Sequence, residues 1–407
     1  MRRQLNKKQQ KLATDGQRLI NLSLAVAQSA SRLEDLRWQA QLDALVEKNL
    51  EHQYQPLFDI VAEQIFHAHP SAYEVLMETV ESMASSGTLI YEGKTYQMLL
   101  MVAPILAWSR FEISAGDIPQ PVVGTLHALW QEHLLAPDAR VRVLPTLYAV
   151  EQLPKDHCQA YNLLRNTAQS LLKEQPNIAQ QHMPETVPFL ADSRYLLAVV
   201  VAPVESALFA WQNIPTPFDS IQAKNDILTR WQAAATPSAM RLLPGCGVEL
   251  LMPEAFYTAC RESDVRIRPI SIRSAVFYLT QTFGIDATEL DAFVAAFGEE
   301  DGTDRVDEYR ISFSLKNQSE VIHGLVWPLY QQDDAANAIG NESDNQLGDI
   351  PAILAEAGLL EVKKIPAIFP LEYCDDCDAP LFCNRDGELV HAEMPDDAPN
   401  PGANHLH

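Results

Sequence analysis

Three cysteines and three histidines crowd the end of the chain. Cys374-Asp-Asp-Cys377 is followed by Cys383, His391, His405 and His407. Zinc takes four thiolate or imidazole ligands in a tetrahedron, and a Cys-x2-Cys turn supplies two of them at once. Residues 381–384 and 388–392 flank Arg385-Asp386-Gly387, which predicts a hairpin carrying Cys383 and His391 back toward the knuckle. His405 and His407 stand two apart and share a face in an extended segment. The expected cofactor is a structural zinc held by Cys374, Cys377 and two of Cys383, His391, His405 and His407. A dithiol switch is the competing chemistry. It wants a thiol pKa depressed by positive charge or a helix N-terminus. Here Glu372, Asp375, Asp376 and Asp378 surround the sulfurs, opposing thiolate formation and favouring a bound dication. A catalytic zinc would need an open position, with Glu388 or Glu393 as base.

A second cluster is Arg261, Arg266, Arg268 and Arg273. Guanidinium forks suit phosphate or carboxylate, and Pro269-Ile-Ser271 reads as a helix start that would add its own pull on an anion. The competing expectation is pairing with the chain's own carboxylates. Asp156-His157-Cys158 has the residue types of a triad, but adjacent residues on a helix do not face one another. Gly245-Cys-Gly247 lacks the rest of a dinucleotide fingerprint. Trp108, Trp130, Trp211, Trp231 and Trp327 fall on apolar faces and read as packing.

The elements that must position these residues form an α+β chain. Residues 1–86 read as a helical N-terminal region, with Leu33, Leu36, Trp38, Leu42 and Leu45 at mixed three- and four-residue spacing. A hairpin about Glu92-Gly-Lys94 follows. From there a repeat emerges. Pro104 closes a buried strand, and Pro145 lies forty-one residues on inside a second. Pro203 and Pro244 repeat that spacing, and Pro154 and Pro253 each follow nine residues later to open a helix. Trp130 and Trp231 sit on the intervening helices. The expected units are 87–190, 191–305 and a partial third, 306–370, each strand-helix-strand-helix. Pro145 and Pro244 call for edge strands or bulges. Residues 271–283 and 287–297 read as helices, 331–348 as an acidic insertion, and 371–407 as the zinc tail.

The chain has 407 residues, 47% of them hydrophobic, which is ample for more than one core. Its net charge of −24 argues against nucleic-acid or anionic-membrane binding, where a basic face supplies the affinity. Residues 317–362 carry no Lys or Arg, whereas Arg2, Arg3, Lys7, Lys8 and Lys11 make the opposite end basic. The basic end lacks a following apolar segment, and the apolar runs near 99–108 and 195–203 are too short to span a bilayer. Cys158, Cys246 and Cys260 read as buried thiols. The expected location is the cytoplasm.

Ser31-Arg-Leu-Glu-Asp35, Ala103-Pro-Ile-Leu-Ala-Trp108, Arg241-Leu-Leu-Pro-Gly-Cys246, Val326-Trp-Pro-Leu-Tyr330, Phe369-Pro-Leu-Glu-Tyr-Cys-Asp-Asp-Cys377 and Val390-His-Ala-Glu-Met-Pro395 carry a resemblance. Through them the whole chain resembles an uncharacterised beta-proteobacterial family, a domain of unknown function. The resemblance implies a bacterial cytoplasmic protein and brings no known activity. The expected role is a non-enzymatic binding or scaffold protein, with a protein partner or a second copy of itself. The alternative is a binding protein or enzyme for a small anionic ligand, held in a cleft between repeats.

Overall fold

The computed structural model describes residues 2–66, 68–176, 186, 189–298, 306–329 and 349–395. The 331–348 insertion, His405 and His407 lie outside them, as do the side chains of the basic N-terminal residues. Helices α1 (Arg2–Ala27), α2 (Arg32–Glu51), α3 (Gln55–Phe66) and α4 (Pro70–Ser85) form the N-terminal region. Ser31 starts α2 by accepting the Glu34 amide at 3.2 Å, satisfying an otherwise orphaned donor. Pro70 opens α4, where its missing N–H costs nothing.

Strands β1 (Ser86–Tyr91) and β2 (Lys94–Trp108) make the expected hairpin. Then come β3 (Gly116–Asp117), α5 (Gln120–Leu129), a π-turn at Trp130–Leu134, β4 (Arg140–Tyr148) and α6 (His157–Leu172). β5 (Ala191–Pro203), α7 (Pro217–Leu242), β6 (Gly247–Leu250), β7 (Glu254–Ala255) and α8 (Phe256–Phe283) complete the first sheet and its covering helices. The sheet runs β1-β2-β5-β4-β3, and β6 and β7 also pair with β2. Strand β5 is apolar on both faces because both are covered. Leu197, Val199 and Val201 face a core shared with α1–α4 and α6. Leu196, Ala198 and Val200 face a second core shared with α5 and α7.

The element order β2-α5-β4-α6 recurs as β5-α7-β6-α8. The two segments exchange strands: β4 pairs with β5, and β6 pairs with β2. Segments 87–190 and 191–305 therefore contribute to one sheet. Strands β2 and β5 are antiparallel with Leu100 opposite Val199, and Trp130 meets Trp231 edge to face at 5.7 Å. Pro104 does not close its strand, since β2 runs on to Trp108. Its carbonyl accepts the Leu251 amide at 2.8 Å, so Pro104 turns its donor-less edge to the break between β6 and β7. Pro145 sits at the expected irregularity, a register shift between Val143 and Leu147. Pro244 does not lie in a strand; it occupies the turn between α7 and β6, where Cys246 N–H bonds the Leu243 carbonyl.

Residues 287–297 correct the helical expectation. After a short helical turn they form β8 (Leu290–Gly298), because both faces of this apolar run are buried and pairing satisfies its backbone. With β9 (Glu308–Leu315), β10 (His323–Pro328) and β11 (Val362–Pro370) it makes a second sheet of order β10-β9-β8-β11. Pro366 falls where the β11 register shifts, between Lys364 and Ile368. Helix α9 (Ile350–Glu356) and the later turns of α8 cover one face.

His157 ties these layers together. Its ring lies 6.4 Å from Phe58 and 5.5 Å from Tyr257, and its Nδ1 is 3.2 Å from Gln55 Nε2. Asp156 is spent as the α6 cap, accepting the Gln159 amide at 2.7 Å. Burial pushes the Cys158 thiol up to about 11, so this cluster holds no local catalytic unit. Burial also lowers the His157 pKa. The folded state then favours neutral imidazole, and stability is lost as pH falls from the unfolded value through the depressed folded one. Replacement His157→Gln should shrink the drop in melting temperature between about pH 7.5 and about pH 5. Parallel pH curves for the two proteins would refute this role.

Candidate metal centre

Strand β11 delivers the chain to the knuckle. Cys374 N–H bonds the Ala379 carbonyl at 2.8 Å, and Asp378 N–H closes the turn on the Cys374 carbonyl at 2.9 Å. Asp378 takes the left-handed conformation, φ 56°, that so tight a turn requires. Strands β12 (Phe382–Cys383) and β13 (Leu389–Val390) form the predicted hairpin. Asn384 Oδ1 accepts the Asp386 and Glu388 amides, each at 2.9 Å, and Gly387 turns the chain with φ 85°.

The hairpin returns His391 to the knuckle. Ligand atoms of Cys374, Cys377 and His391 lie within 4.8 Å of one another. His391 Nε2 is 3.3 Å from Cys377 Sγ. A tetrahedral zinc sets such a sulfur–nitrogen edge at about 3.6 Å. The other imidazole nitrogen, Nδ1, is 3.1 Å from Glu393 Oε1, a close contact without the alignment of a hydrogen bond. A carboxylate on Nδ1 favours the tautomer that leaves Nε2 free to ligate.

Cys383 does not join this group. Its side chain is buried against Ala295 and Phe297, and burial pushes its thiol up to about 11. The alternation of β12 explains the placement: one side of the hairpin is committed to the core of the second sheet. That sheet presents a polar strand face. Tyr309, Ile311 and Phe313 enter the helix-covered core, whereas Arg310, Ser312 and Ser314 point to the other side and are still buried. Arg310 is 1% exposed. It donates to the Glu372 and Leu381 carbonyls at 2.7 and 2.6 Å and to Glu308 at 2.6 Å, and it lies 4.2 Å from the Phe297 ring centre. Ser312 Oγ donates to the Cys383 carbonyl at 2.5 Å. Phe382 packs onto Gly324 so closely that a Cβ there would collide with its ring. The module is thus docked by a buried guanidinium, a hydroxyl and a ring.

The arginine cluster is dispersed along α8. Pro269 and Ser271 lie inside that helix, so the expected helix N-terminus is absent there. Arg261 pairs with Glu81 at 2.6 Å, Arg266 with Glu262 at 2.8 Å, and Arg273 with Glu356 at 3.0 Å. Arg268 is buried, with its guanidinium 5.6 Å from the Trp327 ring centre.

Sequence reasoning missed Arg310 and the cavity beside the module. The Arg310 signal was a lone cation alternating with apolar residues in a strand. That pattern is shared by any solvent-facing strand. The cavity, about 650 Å³, has walls from β5, α8, β10 and the module, including Asp192, His323, His391 and Glu393. No helix among the described residues is long and apolar enough to cross a membrane.

The chain belongs to the family described as Protein of unknown function (DUF2863), whose model matches residues 4–405. No curated protein and no solved structure matches it.

Replacing Arg310 by Met leaves Glu308 and two main-chain carbonyls without their buried cation. Loss of one partner from a buried charged group costs about 3–5 kcal/mol. Hydrogen exchange in residues 372–391 should accelerate before the first sheet loosens; unchanged exchange would refute the anchoring role. Thiol labelling should reach Cys377 while Cys383 stays protected until unfolding. Equal labelling of both would contradict the docked geometry.

Proposed function

We propose that this member of the family is a non-enzymatic binding or scaffold protein whose C-terminal module is held in shape by a structural zinc ion. Cys374, Cys377 and His391 would supply three ligands. His405 and His407 are the sequence's remaining donors, and they lie outside the described residues. The observation that carries the reading is the two-sided placement of His391, with Nε2 toward Cys377 and Nδ1 toward Glu393. Zinc-ligating histidines are oriented by such a contact. The carboxylates of Asp375, Asp376 and Asp378 are exposed around the turn and favour a dication over a reactive thiolate pair.

The partner reading rests on surface and charge. The knuckle stands at the outer edge of a docked module and carries an acidic face. A protein with a basic patch, or another copy of this chain through its own basic N-terminal residues, is the matching surface.

Untagged protein purified without chelators should contain about one zinc per chain, lost in the double replacement Cys374→Ser, Cys377→Ser. Replacing His391 by Ala should weaken zinc by about 10-fold or more, and Glu393→Gln by less. Metal-free wild-type protein with intact thiols would overturn the zinc half. Light scattering should show self-association, or extract should yield a partner lost with the double replacement. A monomer that retrieves nothing would overturn the scaffold half.

A further inference from the structure

We infer that the cavity beneath the C-terminal module is a binding site for a small apolar amine. It has the size of a ligand pocket rather than of a packing defect, since small-molecule sites run from about 300 to 1,000 Å³. Its walls come from the start of β5, the middle of α8, β10 and the module, so four separate parts of the chain converge on it. Phe189, Leu190, Ile267, Leu325, Phe382 and Met394 give it an apolar body.

The charged wall groups decide the ligand's sign. Among the described residues they are Asp192 and Glu393, and none of the described Lys or Arg lines the cavity. An anionic head would shed its water and meet carboxylates, whereas an ammonium head would gain them. The two acids play different parts. Asp192 is partly exposed and already bound by Arg194, whose guanidinium also donates to the Ile113 and Ser114 carbonyls at 2.6 and 3.0 Å. Glu393 has a side chain 78% exposed and stands at the mouth. The apolar body would therefore lie against Ile267 and Phe382, with the amine directed outward to Glu393. Ser271 and His323 add polar groups along the wall.

This inference goes beyond the scaffold reading and does not need the metal. The module's wall is positioned by Arg310 and by Phe382 on Gly324.

The test uses three nearly isosteric fluorescent probes on the full chain: naphthylmethylamine, naphthalenemethanol and naphthoate. Fluorescence titration and calorimetry would be run on zinc-loaded and chelator-treated protein. The amine should bind at one saturable site, about tenfold or more tighter than naphthoate, with the alcohol between them. Val326→Trp should crowd the cavity and weaken binding of all three, with circular dichroism confirming the fold. Glu393→Gln should remove the amine's advantage over the alcohol in zinc-loaded and chelator-treated protein alike. Naphthoate binding as tightly as the amine would overturn the inference. So would the lack of a saturable site for any probe, or unaltered binding in folded Val326→Trp protein. Amine binding without any zinc in the protein would fail the metal reading alone. Zinc present with no probe bound would fail this inference alone.

Discussion

One helix is committed to two cores. α8 has 28 residues and is therefore about 42 Å long. Phe256 and Ala259 near its start lie in the core between the first sheet and the N-terminal helices. Ile272, Ala275, Val276 and Leu279 lie in the core of the second sheet. A helix buried at both ends cannot turn about its axis to suit one core without exposing apolar surface from the other. Pro269 stands at the handover, where it removes one ladder donor. The middle of α8 belongs fully to neither core. Ile267 and Ser271 there become cavity wall instead. The cavity is thus a consequence of bridging two sheets with one rod.

The C-terminal module roofs that space, and its docking is independent of its knuckle. A guanidinium removed from water needs acceptors fixed in direction. Arg310 finds them in two main-chain carbonyls of the module, which sets where residues 372 and 381 must lie. The ring of Phe382 fixes the approach, because only glycine at position 324 leaves room for it. These contacts order the base of the module. The knuckle projects beyond them, held by two backbone hydrogen bonds and a strained Asp378. A metal would complete the order at that outer edge, where packing supplies little.

The residues differ in how much of their fate the sequence discloses. Cys-x2-Cys and the Asn384–Gly387 turn are local, so the knuckle, the hairpin and the return of His391 are legible from spacing alone. The fate of Cys383 is not, since it depends on which side of a two-residue strand meets Ala295 and Phe297 of the distant strand β8. Residues 287–297 mislead because a short apolar run buried on both faces carries no period to tell strand from helix. The matched prolines show the recurring order of elements. They do not show that the two segments trade strands within one sheet, a decision made by long-range pairing between β2 and β5.

Charge decides between the two small-ligand readings. The sequence draws attention to four arginines because cations are scarce in a chain of net charge −24. Scarcity has the opposite consequence in the folded protein, where abundant carboxylates are close at hand. Glu81, Glu262 and Glu356 take three of the four, and the fourth lies buried beside Trp327. Surface pairs of this kind add little stability, but they lower the local positive potential that an anion would seek. The cavity inherits the remaining imbalance. With Asp192 bound to Arg194, Glu393 is the carboxylate at its mouth that solvent reaches freely. With three of these four arginines paired to the protein's own carboxylates and Glu393 on the cavity wall, the inferred site favours a cation over an anion.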